Sequence, residues 1–237
     1  MNKSDVLVGV LGGMGPAATV CFSEQLVERT RAACDQDHIC TLVLNDASIP
    51  DRTQFLLGNS EDSPLPKLIS GARLLQSAGC SFIAMPCNTA HSLFDELTSS
   101  VDIPVLNMVA DTARECGRRG IKRVGVLATE GTVKVDVYGK ALRNFGLECI
   151  YPNAEIQHKT NEIINDWVKS GVSVPQGALA DACGAMAAMG CDGVVLGCTE
   201  LSVAYEADSA CMPIAVVDSL RVLVDSTIAA AGAQLEE

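Results

Sequence analysis

The chain has 237 residues, of which 48% are hydrophobic and 19% charged, and a formal net charge of −12. It is long enough for one large or two small folded units with a full core, and too apolar for a disordered polymer. The acidic balance, with no basic cluster, excludes a phosphate-gripping nucleic-acid surface, and no apolar run reaches the ~20 residues of a membrane span.

Met1-Asn2-Lys3-Ser4-Asp5 before the first apolar run does not read as a signal peptide, so a cytoplasmic protein is expected. Eleven cysteines in such a chain read as reduced thiols, most of them small core fillers. There is no CxxC pair, and His38, His91 and His158 are scattered, so neither a metal site nor a redox disulfide is expected.

Residues 6–11 form a short apolar strand that ends in Gly12-Gly13-Met14-Gly15-Pro16. Pro16 suits the first turn of a helix, and the helical pattern runs on to about residue 33. A second strand covers residues 40–45, and Ile49-Pro50-Asp51-Arg52-Thr53 reads as a loop. A helix over residues 66–78 then precedes a strand at 82–85. Continuous Val/Ile/Leu strands alternating with helices indicate parallel sheets covered on both faces.

The pattern repeats. Val124-Gly125-Val126-Leu127 echoes Val8-Gly9-Val10-Leu11, Gly193 to Cys198 echoes Phe82 to Cys87, and Met212-Pro213-Ile214-Ala215 echoes Ile103-Pro104-Val105-Leu106. The offsets are 116, 111 and 109 residues. The expected fold class is therefore α/β: two similar lobes with mainly parallel sheets flanked by helices, related by a pseudo-two-fold, with the active site between them. The expected first lobe is 1–104 plus 216–237, and the second is 105–215. The last helix, near residues 218–232, should pack back on the first lobe.

Cys87 and Cys198 occupy matching positions in the repeat. Each follows an apolar strand and opens a helix, which is where open α/β sheets bind ligands. Helix N-termini favour anions and should lower a thiol pKa. Asn88-Thr89 and Thr199-Glu200 follow the two cysteines and can hydrogen-bond the same ligand. A pseudo-dyad would set the two thiols on opposite faces of one carbon, as inversion of a stereocentre requires. Cys80 and Cys191 also match each other, but they precede their strands, at the wrong end of the sheet, and read as fillers.

Gly13-x-Gly15-x-x-Ala18 matches a dinucleotide fingerprint only weakly. The nearest acidic partner, Asp46, lies 31 residues past Gly15 rather than about 20. A glycine loop that shapes a small-molecule pocket is the preferred reading. On spacing alone Arg52 is a surface arginine, Lys169 a helix-end lysine, and His91 a packing or capping residue with a catalytic base as the minor alternative.

Taken together, Gly12-Gly13-Met14-Gly15-Pro16, Pro50-Asp51-Arg52-Thr53, Met85-Pro86-Cys87-Asn88-Thr89-Ala90-His91, Ala128-Thr129-Glu130-Gly131-Thr132 and Gly197-Cys198-Thr199-Glu200 resemble the aspartate/glutamate racemase superfamily. The resemblance is strongest to aspartate racemases and spans nearly the whole chain. It implies a racemase without pyridoxal phosphate, metal or other cofactor, acting on an amino acid, and a homodimer. It also implies Cys87 and Cys198 as the two catalytic thiols, with Cys198 serving the L-isomer and Cys87 the D-isomer. Substrate contacts implied by the resemblance are Met14, Arg52, Asn88, Thr89, Thr129, Thr132, Lys169, Thr199 and Glu200. Arg52 and Lys169 would meet the two carboxylates. Asn165 stands where many relatives carry an aromatic residue, and Glu162 adds a negative charge nearby. Alternatives on the same scaffold are a racemase of glutamate, asparagine or a neutral or broad range of amino acids, and a maleate cis–trans isomerase. A small-acid binding protein without turnover is a third possibility.

Overall fold

The computed structural model describes residues 6–208 and 212–236. Among these, two all-parallel sheets are formed. The first has the order β2 (Cys40–Asn45), β1 (Leu7–Gly12), β3 (Phe82–Ala84), and the second the order β5 (Glu148–Ile150), β4 (Arg123–Ala128), β6 (Gly193–Gly197), β7 (Ala215–Asp218). The helices in chain order are α1 (Pro16–Arg29), α2 (Arg52–Leu57), α3 (Leu65–Ser77), α4 (Phe94–Thr98), α5 (Met108–Arg118) and α6 (Glu130–Lys134). They continue with α7 (Val137–Asn144), α8 (Ala154–Asn161), α9 (Ala178–Ala188), α10 (Thr199–Asp208) and α11 (Ser219–Ala230). A 3-10 turn covers Thr89–Leu93 and a π-helical segment Glu162–Val168.

The duplication holds at the level of register. Val8 pairs with Phe82 as Val124 pairs with Gly193, and Val105 pairs with Ile83 as Val216 pairs with Val194. The sequence comparison had set Val105 against Ile214; the sheet sets it against Val216. Even the fillers match, since Cys80 fills the space beside Gly9 and Cys191 the space beside Gly125. The central strands β1, β4 and β6 are buried on both faces, as their apolar runs require.

Helix starts follow side-chain chemistry. Asp51 accepts from Gln54 N–H at 2.8 Å, Asn107 from Ala110 N–H at 2.9 Å and Asn153 from Ile156 N–H at 3.0 Å. Arg52 is thus the first residue of α2, not part of a loop. The expected run of α1 to about residue 33 stops at Arg29. Thr30 turns extended and forms an antiparallel bridge with Leu235, and Arg31 N–H donates to Gln234 O at 2.9 Å, so tertiary pairing ends the helix.

Two helices cross between the sheets. α5 buries Val109, Ala113 and Cys116 against Val124, Val126 and Val217 of the second sheet. α11 buries Leu220, Leu223, Val224 and Ile228 against Val10 and Ala84 of the first sheet and Phe22 and Leu26 of α1. Each such buried aliphatic side chain contributes roughly 2 kcal/mol. No described helix is long and apolar enough to cross a membrane.

The two sheet edges differ. β5 is three residues long and carries Glu148, ion-paired to Arg123 at 3.1 Å. β2 is six residues long, carries no charge, and leaves Leu42 and Val43 38% and 40% exposed.

Candidate active site

One narrow cavity at the carboxyl ends of the strands is lined by Cys87 and Cys198 together. Cys87 follows β3, and Cys198 lies between β6 and α10. Its free space is only about 10 Å³, room for about one water, so an amino-acid-sized ligand must push the walls apart. Met14, Arg52, Asn88, Thr89 and Thr129 line it, as do Lys169, Thr199 and Glu200. Thr132 stands behind them. Asp51 and Thr53 also line the cavity; they lay inside a motif of the sequence but carried no chemical signal of their own.

The glycine loop gives one wall. Gly13 has φ +94, and a Cβ there would come within 2.3 Å of the Asp46 backbone, so no other residue fits. Thr19 Oγ1 accepts from Gly13 N–H at 2.9 Å and donates to Gly15 O at 3.0 Å, folding the loop on itself. A Cβ on Gly15 would lie 2.9 Å from Glu200 Oε1. The bare glycine lets that carboxylate approach.

The two thiols have different neighbours. Cys198 Sγ–H donates to Glu200 Oε2 at 3.0 Å, and Thr199 Oγ1–H donates to the same oxygen at 3.3 Å. Burial pushes the Cys198 thiol well above its ordinary pKa, the Glu200 charge adds to this, and Lys169 opposes it. Burial also raises Cys87, but there the Arg52 cation opposes the rise, helped by hydrogen bonds from Ala90 N–H and from Arg52; the Glu200 charge adds a smaller rise. The expected lowering by helix starts is therefore overturned at both cysteines, because desolvation of a fully enclosed thiolate outweighs a single helix turn.

Arg52 Nη1 donates to Ile49 O at 3.2 Å and Pro50 O at 3.0 Å, leaving its Nε buried without an oxygen partner. Lys169 follows the π-helical segment, and its Nζ lies 3.4 Å from Asn165 Oδ1. It faces the cavity even though the residue is exposed.

Thr89, Thr129 and Thr132 form a ring of hydroxyls. Thr89 lies 3.1 Å from Thr129 and 3.0 Å from Thr132, and those two are 3.0 Å apart. The ring joins the turn after Cys87 to the start of α6. α2 closes over α6 nearby, where Lys134 Nζ donates to Leu57 O at 2.9 Å.

Asn88 lines the cavity, but its amide points into a buried network. Tyr138 O–H donates to Asn88 Oδ1 at 2.5 Å, and Asn88 Nδ2 donates to Ser219 Oγ at 3.0 Å. His91 is a strut. Its Nε2 accepts from Met108 N–H at 3.1 Å, so the proton sits on Nδ1, which donates to Cys87 O at 2.8 Å. Burial lowers its pKa, and the neutral ring stacks on Phe94 at 5.4 Å. Neither nitrogen is free for proton transfer, and the packing reading holds. Among the described residues no group of three or more His, Cys, Asp or Glu side chains is set to hold a metal ion.

A family model described as Asp/Glu/Hydantoin racemase matches residues 11–227. The chain is 29% identical over 228 residues to a broad specificity amino-acid racemase of Bacillus subtilis, covering 94% of this chain and 96% of that protein. An aspartate racemase structure from Picrophilus torridus superposes with a TM-score of 0.82 and 33% identity, covering 98% of this chain and 96% of the other. A glutamate racemase from Francisella tularensis, solved with D-glutamate, has a TM-score of 0.71 at 15% identity over 96% of this chain and 81% of its own, a likeness of fold. From its fold, its duplicated strand ends and a match over nearly its whole length, the chain belongs to the Asp/Glu/hydantoin racemase family.

Proposed function

We propose that this racemase-family protein interconverts L- and D-aspartate by a two-thiol proton transfer at Cα, without cofactor or metal. The observation that carries the reading is the composition of one cavity: two cysteines, two cations, Arg52 and Lys169, and two carboxylates, Glu200 and Asp51, of which Asp51 is engaged in capping α2. A dicarboxylate with one ammonium group complements that set.

Cys198 holds its proton against Glu200, and Cys87 faces Arg52. D-aspartate would lose its α-proton to the Cys87 thiolate, and the Cys198 thiol would deliver a proton to the opposite face. The reverse reaction starts from the Cys198 thiolate, with Lys169 offsetting its charge. The developing carbanion needs its α-carboxylate held by preorganised donors, and the Thr89 and Thr199 hydroxyls stand at the helix starts for that purpose.

The test is proton NMR of L-aspartate with the purified protein in deuterated water, with chiral chromatography of the product. Loss of the Cα–H signal with D-aspartate formed supports the reading. Maleate converted to fumarate, with no exchange of any amino acid, would replace it by the isomerase alternative.

A second reading is a broader racemase. Lys169 is exposed and, among the described residues, its ammonium makes one hydrogen bond, the 3.4 Å contact to Asn165, so the wall around the substrate side chain is loosely built. The Bacillus subtilis relative is named for broad specificity. Running the same assay over neutral amino acids separates the two.

We also propose a homodimer in which β2 pairs with β2 of a second copy. A long uncharged edge strand with exposed Leu42 and Val43 is a template for pairing, whereas the matching edge β5 is short and charged. Two copies of a chain with a net charge of −12 repel, and a two-fold contact sets each residue near its own copy. An uncharged strand meets both conditions.

A further inference from the structure

We infer that Tyr138 and Ser219 are positioning residues that fix the separation of the two thiols, an inference that rests on the two-thiol reading above. Tyr138 touches both cysteine loops. Its ring packs so closely on Gly197, the residue before Cys198, that a Cβ there would lie 3.0 Å from Tyr138 Cε2. Its hydroxyl donates to Asn88, the residue after Cys87, at 2.5 Å. Ser219 makes the second link. It accepts from Asn88 Nδ2 at 3.0 Å and donates to Leu196 O, two residues before Cys198, at 2.6 Å.

The network has one proton arrangement. Leu196 O can only accept, so Ser219 must donate to it and accept from the Asn88 amide nitrogen. Asn88 Oδ1 therefore faces Tyr138, which must donate. Asn88, Tyr138 and Ser219 are all buried, at 2%, 0% and 0% exposure, so breaking any link leaves an unpaired polar group out of water. Burial holds the Tyr138 phenol above its ordinary pKa, so it remains a donor throughout the usual pH range. The two cysteines sit on different sheets, and no strand pairing sets their distance. This network and the threonine ring join the turn after Cys87 to the second sheet's strand ends. A two-base reaction is sensitive to that distance, because both thiols must reach one carbon.

The experiment compares wild type, Tyr138→Phe and Ser219→Ala with L-aspartate in deuterated water at early conversion, alongside thermal melts. In wild type, deuterium should enter D-aspartate and stay low in recovered L-aspartate. In the variants kcat should fall about ten- to a hundredfold with KM within about twofold. Deuterium should also build up in recovered L-aspartate, because the first thiol still removes the proton, exchanges it for deuterium from the solvent and returns that to the same face when the second thiol no longer reaches the carbanion in time. Wild-type kcat and labelling in both variants would overturn the inference. So would equal losses of exchange and racemisation that track a lowered melting temperature, the mark of a merely structural role. A wild type that exchanges no Cα proton of aspartate, glutamate or any neutral amino acid would overturn the two-thiol reading itself, and the inference with it; one active on another amino acid moves the same comparison to that substrate.

Discussion

Cys198 and Glu200 form a buried thiol–carboxylate pair at 3.0 Å, and among the described residues Cys87 has no such partner: the charge that acts on it most strongly is Arg52. A pseudo-symmetric fold thus holds two electrostatically unlike bases. Glu200→Gln removes a charge that raises the Cys198 pKa. The pH profile for L- to D-aspartate should move to lower pH, and that for D- to L-aspartate should move less. Equal movement of both profiles would show that Glu200 acts on the substrate rather than on Cys198.

Both thiols are raised above their ordinary range, so the reactive thiolate becomes more populated as pH rises. kcat/KM should climb from pH 7 to pH 9. Replacing Cys87 or Cys198 by Ala should cost at least about a thousandfold in racemisation, since one face of the carbon then has no base. Full activity in either variant would end the two-base scheme.

Arg52→Ala should raise KM for aspartate much more than for alanine. Loss of one charge-assisted contact is worth about 2–3 kcal/mol, or roughly thirty- to a hundred-and-fortyfold. Lys169→Ala should have the smaller effect, because the residue is exposed. A uniform loss across substrates would assign Arg52 to the α-carboxylate that they share.

Asp218 caps α11 and accepts from Ser202 Oγ at 2.5 Å and Leu220 N–H at 2.9 Å, while its Oδ2 is buried without a partner. Burial raises its pKa to about 6. Below pH ~4 the group is protonated in folded and unfolded chains alike. As pH rises through about 6 the folded state must ionise a buried carboxyl, and stability is lost. That loss is about 3 kcal/mol for a shift of roughly two units. Asp218→Asn should therefore gain melting temperature relative to wild type at pH 8 but not at pH 4. A difference independent of pH would refute the assignment.

Leu42→Lys and Val43→Lys in β2 should convert a dimer to a monomer in light-scattering chromatography while leaving the melting profile cooperative. A wild type that is already monomeric would rule out the β2 contact.

The sequence by itself determined the family, the duplication and the matching strand-end positions of the two cysteines. Each of those signals is local: an apolar run, a sharp turn and a thiol at a strand end, written twice. It also marked Cys80 and Cys191 as fillers, because strand direction alone puts them at the far end of the sheet. Only the tertiary structure decided which groups the thiols face. Burial and the neighbours Arg52 and Glu200 come from distant segments, so the expected lowering of both thiol pKa values gave way to desolvation. Arg52 became the first residue of α2 because Asp51 caps it, and α1 ended early because Thr30 pairs with Leu235. Tyr138 and Ser219 carried no motif, since a buried tyrosine and a serine at a helix start look like ordinary packing until Asn88 is brought between them. Periodicity and turn chemistry act over a few residues and can be read along a chain. Hydrogen bonds and charges between segments far apart in sequence exist only once the two sheets have closed on each other.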